Sequence, residues 1–175
     1  MTGVFHAHSG RSRDGELSLE GLASLLQNHL LDFCVLTDHS DDLDRYTYDE
    51  LLSEIAEFNR CHEFEFVPGI EMSCGVAHII LIDAPEHPMT TDWREVVEFG
   101  RSRGVVSVLA HPVRSTDFVT TSEILTYVDG VEVWNTREDG RLCPDLRRIG
   151  LISSAISDNH LLFFGADFHG RGDYV

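Results

Sequence analysis

Short apolar runs alternate with amphipathic stretches from one end of the chain to the other. The apolar runs predict strands, and FCVLT at Phe33–Thr37 is typical of a strand buried on both faces of a parallel sheet. Seven strands are predicted in this way: Val4–His8, Phe33–Thr37, Phe64–Met72, Ala77–Asp83, Val105–Ala110, Val131–Asn135 and Leu161–Ala166.

The amphipathic stretches carry apolar residues at helical spacing and predict helices between most of these strands. One helix begins at Ser18, and the others span Tyr48–Arg60, Asp92–Arg103, Ser122–Val128 and Pro144–Ile156, with Thr91 or Asp92 as the cap of the third. The third and fourth strands leave no room for a helix between them. Repeated strand–helix units predict a parallel sheet with right-handed crossovers, and seven units are enough to close a barrel.

We therefore expect an α/β fold, a TIM-like barrel, and a single domain over residues 1–175, since no linker or composition shift divides the chain. The chain stops at Val175, a few residues after the seventh strand. A covering helix is expected there, so the sequence predicts that the final helix is missing or truncated.

Charge narrows the range of functions. The chain has 30 acidic and 13 basic residues, and because it contains no lysine, all 13 are arginine. The missing lysine excludes a Schiff-base lysine, a P-loop lysine and a carbamylated-lysine metal bridge. A net charge of −17 argues against affinity for long nucleic acid or anionic membrane. A high-salt source and a GC-rich genome both explain this composition.

The sequence also indicates where the protein works. With 42% hydrophobic residues and no apolar run as long as a membrane span or signal peptide, we expect a soluble, cytoplasmic protein. The four cysteines are widely spaced and are predicted to be reduced thiols. The oligomeric state stays open.

Histidines and carboxylates collect at the ends of the predicted strands, and these positions carry the candidate chemistry. In a βα barrel, residues at the carboxyl ends of the strands line the active site. Imidazole and carboxylate groups suit Zn, Mn and Fe, so a set of this size predicts a cluster of catalytic divalent metals. The nine candidate ligands are His6, His8, Asp14, His39, Glu71, His78, His111, Asp167 and His169.

Geometry supports only part of this set directly. His6 and His8 lie two residues apart on a strand, where simple alternation would point both rings to the same face at roughly 6 to 7 Å. Asp167 and His169 repeat that spacing after the last strand. The remaining four histidines, in helices or polar loops, are predicted to be surface residues: His29, His62, His87 and His160.

These motifs resemble the polymerase and histidinol phosphatase (PHP) family of metallophosphoesterases over essentially the whole chain. The segments that carry the resemblance are FHAHSGRSRDG, LTDHS, PGIEMS, LAHPV and GADFHG, while the surroundings of His78, VAHIILI, are the least distinctive. The resemblance implies a distorted barrel of seven βα units, which agrees with the strand count.

The resemblance also implies a site for up to three divalent ions, Zn, Mn or Fe. His6, His8, Glu71 and Asp167 would hold the first ion. Glu71 would bridge to a second ion, held by His78 and His111, and the third would lie on Asp14, His39 and His169.

The expected reaction is hydrolysis of a small phosphate ester, such as a phosphorylated metabolite, nucleotide or short oligonucleotide, with a metal-bridging hydroxide as nucleophile. Arg11, Arg13 and Arg114 are candidates for binding the phosphate oxygens. Asp38 is expected to orient a ligand imidazole.

Two other functions stay open at this point. Amidohydrolases, which cleave C–N bonds, also use His-x-His barrels, although the absent lysine disfavours their common bridged form. A non-catalytic metal-binding accessory domain is the third alternative, although such domains typically lose ligands and this set is complete.

Overall fold

A computed structural model describes residues 1–75, 77–112, 118–140, 142–144, 146–157 and 159–173. Its seven strands form one closed barrel in the order of the sequence. They are β1 (Gly3–Ala7), β2 (Phe33–Leu36), β3 (Glu65–Ser73), β4 (His78–Ile82), β5 (Val106–Ala110), β6 (Gly130–Asn135) and β7 (Leu161–Phe168). The α/β class and the barrel predicted from the sequence are confirmed.

Within the described residues, six helices lie between the strands of this barrel. They are α1 (Leu19–Asn28), α2 (Arg45–Cys61), α3 (Trp93–Arg103), α4 (Phe118–Leu125), α5 (Thr136–Asp139) and α6 (Leu146–Ala155). Side chains set where several of them begin: Ser18 caps α1, Asp44 forms a capping box with Thr47 on α2, and Asp92 caps α3. The capping box starts α2 three residues before the predicted position, and α5 was not predicted.

The expectation of an entirely parallel sheet is wrong at β4, which runs antiparallel to both β3 and β5. Only four residues separate Ser73 at the end of β3 from His78 at the start of β4. A parallel connection needs a crossover of a dozen or more residues, so the chain must reverse direction. The reversal pairs His78 with Ser73 and with Ala110, and thereby brings the first residue of β4 to the carboxyl end of its neighbours.

Apolar side chains fill the barrel below this end. Ile80 and Val108 are buried in a small cluster, and the partly buried Phe5 and Phe163 of two other strands pack against it. A larger core joins the outer faces of the strands to the helices, with Leu22 and Leu26 of α1 among its fully buried members. The polar residues of the site therefore lie on an apolar floor.

Beyond β7, the described residues 169–173 form turns, so the missing final helix stays a prediction. Cys34 and Cys74 are buried, Cys61 and Cys143 are exposed, and all four are free thiols as predicted. Among the described residues, no helix has the length and apolar character needed to cross a bilayer.

Candidate metal centre

All nine predicted ligands lie together at the carboxyl end of the barrel. His6 is in β1 and His8 directly after it, Glu71 and Asp167 are near the ends of β3 and β7, and His111 and His169 directly follow β5 and β7. Each ligand has a donor atom within 3.7 Å of a donor atom of another. Glu71 is the common centre, because five of the six histidines approach its two oxygens.

Four donor atoms surround the position predicted for the first ion. Nε2 of His6 lies 3.3 Å from Glu71 Oε2 and 3.7 Å from Asp167 Oδ1. Nε2 of His8 lies 3.5 Å from each of the same two oxygens. A tetrahedral ion with bonds of about 2.0 to 2.2 Å separates its ligands by about 3.3 to 3.6 Å, so these spacings suit an ion at the centre.

Three of these atoms make no hydrogen bond, although His39 Nδ1 lies 3.0 Å from Oε2 of Glu71. Nε2 of His6, Nε2 of His8 and Oε2 of Glu71 are buried and make no hydrogen bond. Buried polar atoms without a partner are rare because leaving them unsatisfied costs about 1 to 3 kcal/mol each. Buried nitrogen and oxygen donors grouped in this way can hold a divalent cation, so these residues fit a metal site.

The donors predicted for the other two ions are also grouped. Glu71 Oε1 lies 2.7 Å from His78 Nδ1 and 2.9 Å from His111 Nε2. These are hydrogen-bond distances, and an ion would spread the three atoms by several tenths of an ångström. At the outer edge, the carboxylate of Asp14 lies 3.5 Å from His39 Nε2 and 3.0 Å from His169 Nε2.

Donor atoms can also be grouped differently from the predicted division. His6, His111 and Asp167 place donor atoms within 4.8 Å of one another, as do His8, His39 and His169. His39 presents Nδ1 to Glu71 at 3.0 Å and Nε2 to Asp14, and thus links the inner and outer sets. The assignment of each residue to one ion stays a prediction.

Backbone conformation at the site departs from regular strand geometry. His6 has φ of 68°, His111 of 27° and Asp167 of 50°. Left-handed φ values in residues with a Cβ cost roughly 1 to 3 kcal/mol each and cluster at functional sites. Strand β1 is bulged at His6, because its register with both β2 and β7 shifts between Phe5 and Ala7. The bulge, rather than simple alternation, brings the rings of His6 and His8 to 5.2 Å.

The charged groups of the site shift one another's pKa values. Burial by itself lowers the pKa of His6, but the carboxylates of Glu71 and Glu132 outweigh it and raise that pKa well above its ordinary value. Burial raises the pKa of Glu71, but His6 and His111 outweigh it and hold that pKa well below its usual range. Without metal, the cluster therefore keeps an ionised carboxylate and binds protons on imidazole, and a metal must displace those protons.

Glu132 is a functional candidate that the sequence reasoning missed. It lies fully buried in β6, with Oε1 3.0 Å from Nδ1 of His6. Its other oxygen accepts hydrogen bonds from the main-chain N–H of His111 and from Nδ2 of Asn135, at 2.7 and 3.0 Å. The available signal was a carboxylate inside an apolar strand, GVEVWN.

The sequence predicts that Asp38 orients the imidazole of a ligand, but the hydrogen bonds of its carboxylate go to serines instead. Its carboxylate accepts hydrogen bonds from the main chain and hydroxyl of Ser9 and from the hydroxyl of Ser12. Ser12 in turn lies 3.5 Å from Nδ1 of His8 and accepts the main-chain N–H of His39. Asp38 therefore holds the loop after β1, and it reaches His8 only through Ser12.

Of the expected phosphate-binding arginines, the structure describes Arg11 and Arg13, and none of the contacts it gives for them is to a predicted ligand. Arg11 pairs with Glu54 at 2.5 Å and with Glu50 on α2, so its guanidinium is already neutralised. Arg13 is exposed, its main-chain N–H bonds to Asp42, and Arg114 lies outside the described residues.

Arg137 was not predicted as a site residue, but it contacts the predicted ligand His169. Its Nη1 is 2.9 Å from Nδ1 of His169 and 3.2 Å from Asp173, and its side chain is 39% exposed. It lies in α5, directly after β6, which is the same end of the barrel as the ligands. The prediction of a surface position is wrong for His87, which is buried and accepts the main-chain N–H of Met89.

Comparison with known proteins gives the fold. No protein-family model and no curated protein matches the chain. A crystal structure from Bifidobacterium adolescentis, named as a candidate metal-dependent phosphoesterase, is similar with a TM-score of 0.71 and 16% identity, covering 98% of this chain and 89% of that one. An amidohydrolase from Chromobacterium violaceum, with bound sulfate and no metal, has a TM-score of 0.68 and 17% identity over the same shares. At these identities the similarity shows the fold alone, which the chain shares with both hydrolases.

Proposed function

We propose that this protein is a metal-dependent phosphoesterase of the PHP type that hydrolyses a small phosphate ester. The observation that carries the proposal is the convergence of buried donor atoms of His6, His8 and Glu71 that make no hydrogen bond, with Asp167 as a fourth donor. Two further donor groups beside it extend the site to as many as three ions, for which Zn, Mn or Fe are suitable.

The net charge of such a site favours a phosphate ester. Three divalent ions would bring six positive charges against the four carboxylates of Asp14, Glu71, Glu132 and Asp167, so the pocket stays positive inside an acidic chain. A positive site in a chain of net charge −17 attracts a compact anion and disfavours a long polyanion. We therefore expect a small phosphorylated substrate, with neither long nucleic acid nor membrane as partner.

Residues at the mouth of the site would receive this substrate. His6 and His8 are sealed from solvent, whereas the side chains of His39, His78 and Asp14 are 17%, 29% and 47% exposed. The phosphoryl group would therefore approach over His39 and His78. Bound divalent ions would supply Lewis-acid polarisation of the phosphoryl oxygens and activation of water at neutral pH.

Arg137 would bind the non-bridging oxygens of the substrate. Its guanidinium lies beside His169 and is partly open to solvent, and it also pairs with Asp173 at 3.2 Å, so the substrate would compete with that carboxylate. Arginine binds phosphate through two parallel hydrogen bonds, which also orients the group. This assignment replaces Arg11, whose charge is held by α2.

A panel of substrates tests the proposal against amide hydrolysis and against a purely binding role. Protein loaded with Zn²⁺, Mn²⁺ or Fe²⁺ is given 4-nitrophenyl phosphate, bis(4-nitrophenyl) phosphate and nucleoside monophosphates, and in parallel N-acyl amino acids and cyclic amides. We expect phosphate or nitrophenol release that chelator abolishes. Amide turnover without phosphate ester turnover would replace the proposal with an amidohydrolase, and tight metal binding without turnover on a broad phosphometabolite screen would leave an accessory domain.

A further inference from the structure

A buried carboxylate that is not among the nine ligands contacts two of them from inside the barrel. Glu132 is fully buried, and its side chain projects between β1, β5 and β7. We propose that Glu132 is a positioning residue of the metal centre, which fixes the tautomer of His6 and the main chain of His111. The inference rests on the metal-binding part of the proposed function and not on the identity of the substrate.

The first arm of Glu132 acts on the His6 ring. Oε1 lies 3.0 Å from Nδ1, and an ionised carboxylate only accepts hydrogen bonds, so Nδ1 must carry a proton. With the proton held on Nδ1, a neutral His6 ring presents the lone pair of Nε2 to Glu71 Oε2 and Asp167 Oδ1. Metal-ligating histidines are oriented by such partners, which also make them stronger donors.

The second arm of Glu132 supports two other predicted ligands, His111 through its main chain and Asp167 through the side chain of Asn135. Oε2 accepts the N–H of His111, whose φ of 27° is otherwise unfavourable. Oε2 of Glu132 also accepts a hydrogen bond from Nδ2 of Asn135, and this amide lies 3.4 Å from Oδ2 of Asp167. The donor atoms of His6, His111 and Asp167 lie within 4.8 Å of one another. Glu132 contacts the first two directly and is linked to Asp167 through Asn135.

The barrel makes room for this carboxylate by a glycine. A Cβ built on Gly165 of β7 would lie 1.4 Å from Oε1 and 2.4 Å from Cδ of Glu132. Any side chain at position 165 would therefore occupy the place of the carboxylate. The pairing of Glu132 with Gly165 indicates a position built for a charged group that a hydrophobic barrel would not otherwise contain.

Glu132→Gln is the discriminating variant because it preserves shape and removes one acceptor. Both oxygens of Glu132 accept hydrogen bonds, from His6 on one side and from His111 and Asn135 on the other. An amide NH₂ must replace one of them. If it faces His6, Nδ1 must lose its proton and Nε2 gains one, which destroys the ligand; if it faces His111, two donors oppose each other.

Competition with a chromogenic chelator measures the zinc affinity of wild-type, Glu132→Gln and Asp129→Asn proteins. Asp129 offers a matched control. It directly precedes β6, at the end of that strand opposite to the metal centre, and its carboxylate also accepts hydrogen bonds, from the main chain and hydroxyl of Ser107. We expect zinc to bind the Glu132→Gln protein about 10- to 100-fold more weakly. The control should bind zinc as the wild type does.

Ring ¹⁵N spectra of histidine-labelled, zinc-loaded wild-type protein provide a test that no folding defect can obscure. We expect His6 to show a protonated Nδ1 and a coordinated Nε2. A protonated Nε2, or unchanged zinc affinity in Glu132→Gln, would overturn the role of Glu132 while leaving a metal-binding protein. Absence of zinc binding by the wild type would overturn the proposed function together with this inference.

Discussion

Gly165→Ala should remove the carboxylate of Glu132 from the metal centre without changing any ligand. The added Cβ would lie 1.4 Å from Oε1, where ordinary contact needs about 3.4 Å or more, so the carboxylate must move by about 2 Å. A movement of that size breaks the contacts to His6 and to the His111 N–H, which are 3.0 and 2.7 Å long.

The cost of this substitution can be estimated from its parts. Overpacking a core costs about 1 to 3 kcal/mol. Losing each of the two hydrogen bonds to the charged group costs about 1.5 to 3 kcal/mol, and the smaller backbone entropy of alanine in the unfolded chain returns about 0.4 to 1 kcal/mol. We expect a net loss of about 5 kcal/mol, which lowers the melting temperature of a chain of this length by about 10 to 20 °C.

Gly150→Ala is the matched control. A Cβ at Gly150 meets nothing within 4 Å, and the residue lies inside α6, where alanine is favoured over glycine by about 0.5 to 1 kcal/mol. Circular dichroism melts of chelated protein should show Gly165→Ala falling and Gly150→Ala rising slightly, with zinc affinity reduced only in the former. Equal, small shifts in the two variants would refute the close approach at Gly165.

Further changes probe the ligands, the anion-binding arginine and the protons of the site. Glu71→Ala should lower phosphate ester hydrolysis by at least about a thousandfold, since several kcal/mol of metal-derived stabilisation are lost, while far-UV circular dichroism stays native; unchanged turnover removes its bridging role. Arg137→Gln should lower kcat/KM about 10- to 100-fold, mostly through KM, whereas Arg11→Gln should have little effect; the reverse order would assign phosphate binding to Arg11. The pKa of His6 is raised in the folded protein, so the stabilisation that it gives metal-free protein is complete below the unfolded pKa of 6.5 and is lost as the pH rises through the folded pKa. The pKa of Glu71 is lowered, so its stabilisation is present above pH 4.5. Urea unfolding should therefore show chelated protein most stable between pH 4.5 and 6.5 and losing stability above it, whereas zinc-loaded protein gains stability as its ligands deprotonate; parallel slopes would contradict this.

The sequence predicted that the candidate ligands lie together, because most of them are near the end of a strand. Apolar runs locate the strands, and barrel closure brings their ends together, so Glu71 and Asp167 meet although 96 positions separate them along the chain. The reversal of β4 was not predicted, although the short connection before His78 contained the information. The hydrophobic pattern locates each strand but does not indicate whether it runs parallel or antiparallel to its neighbours.

The residues that support the ligands were harder to predict. Glu132 carries no motif, and its role depends on Gly165 of another strand, which only the folded barrel brings beside it. The sequence predicts phosphate contacts for the arginines that follow the first motif, but Arg11 forms ion pairs with acidic residues of α2. Side-chain direction in loops is set by tertiary contacts, so sequence position alone does not determine it.

The metal content of the purified protein tests the central claim most directly. Protein prepared without chelator should contain more than one equivalent of Zn, Mn or Fe by plasma emission spectrometry, and Glu71→Ala should contain much less. Removing the metal from wild-type protein should lower its melting temperature by about 8 to 16 °C, the effect of one site filled at a thousand times its Kd. A fully folded wild-type protein that contains no metal and takes none up would contradict the account.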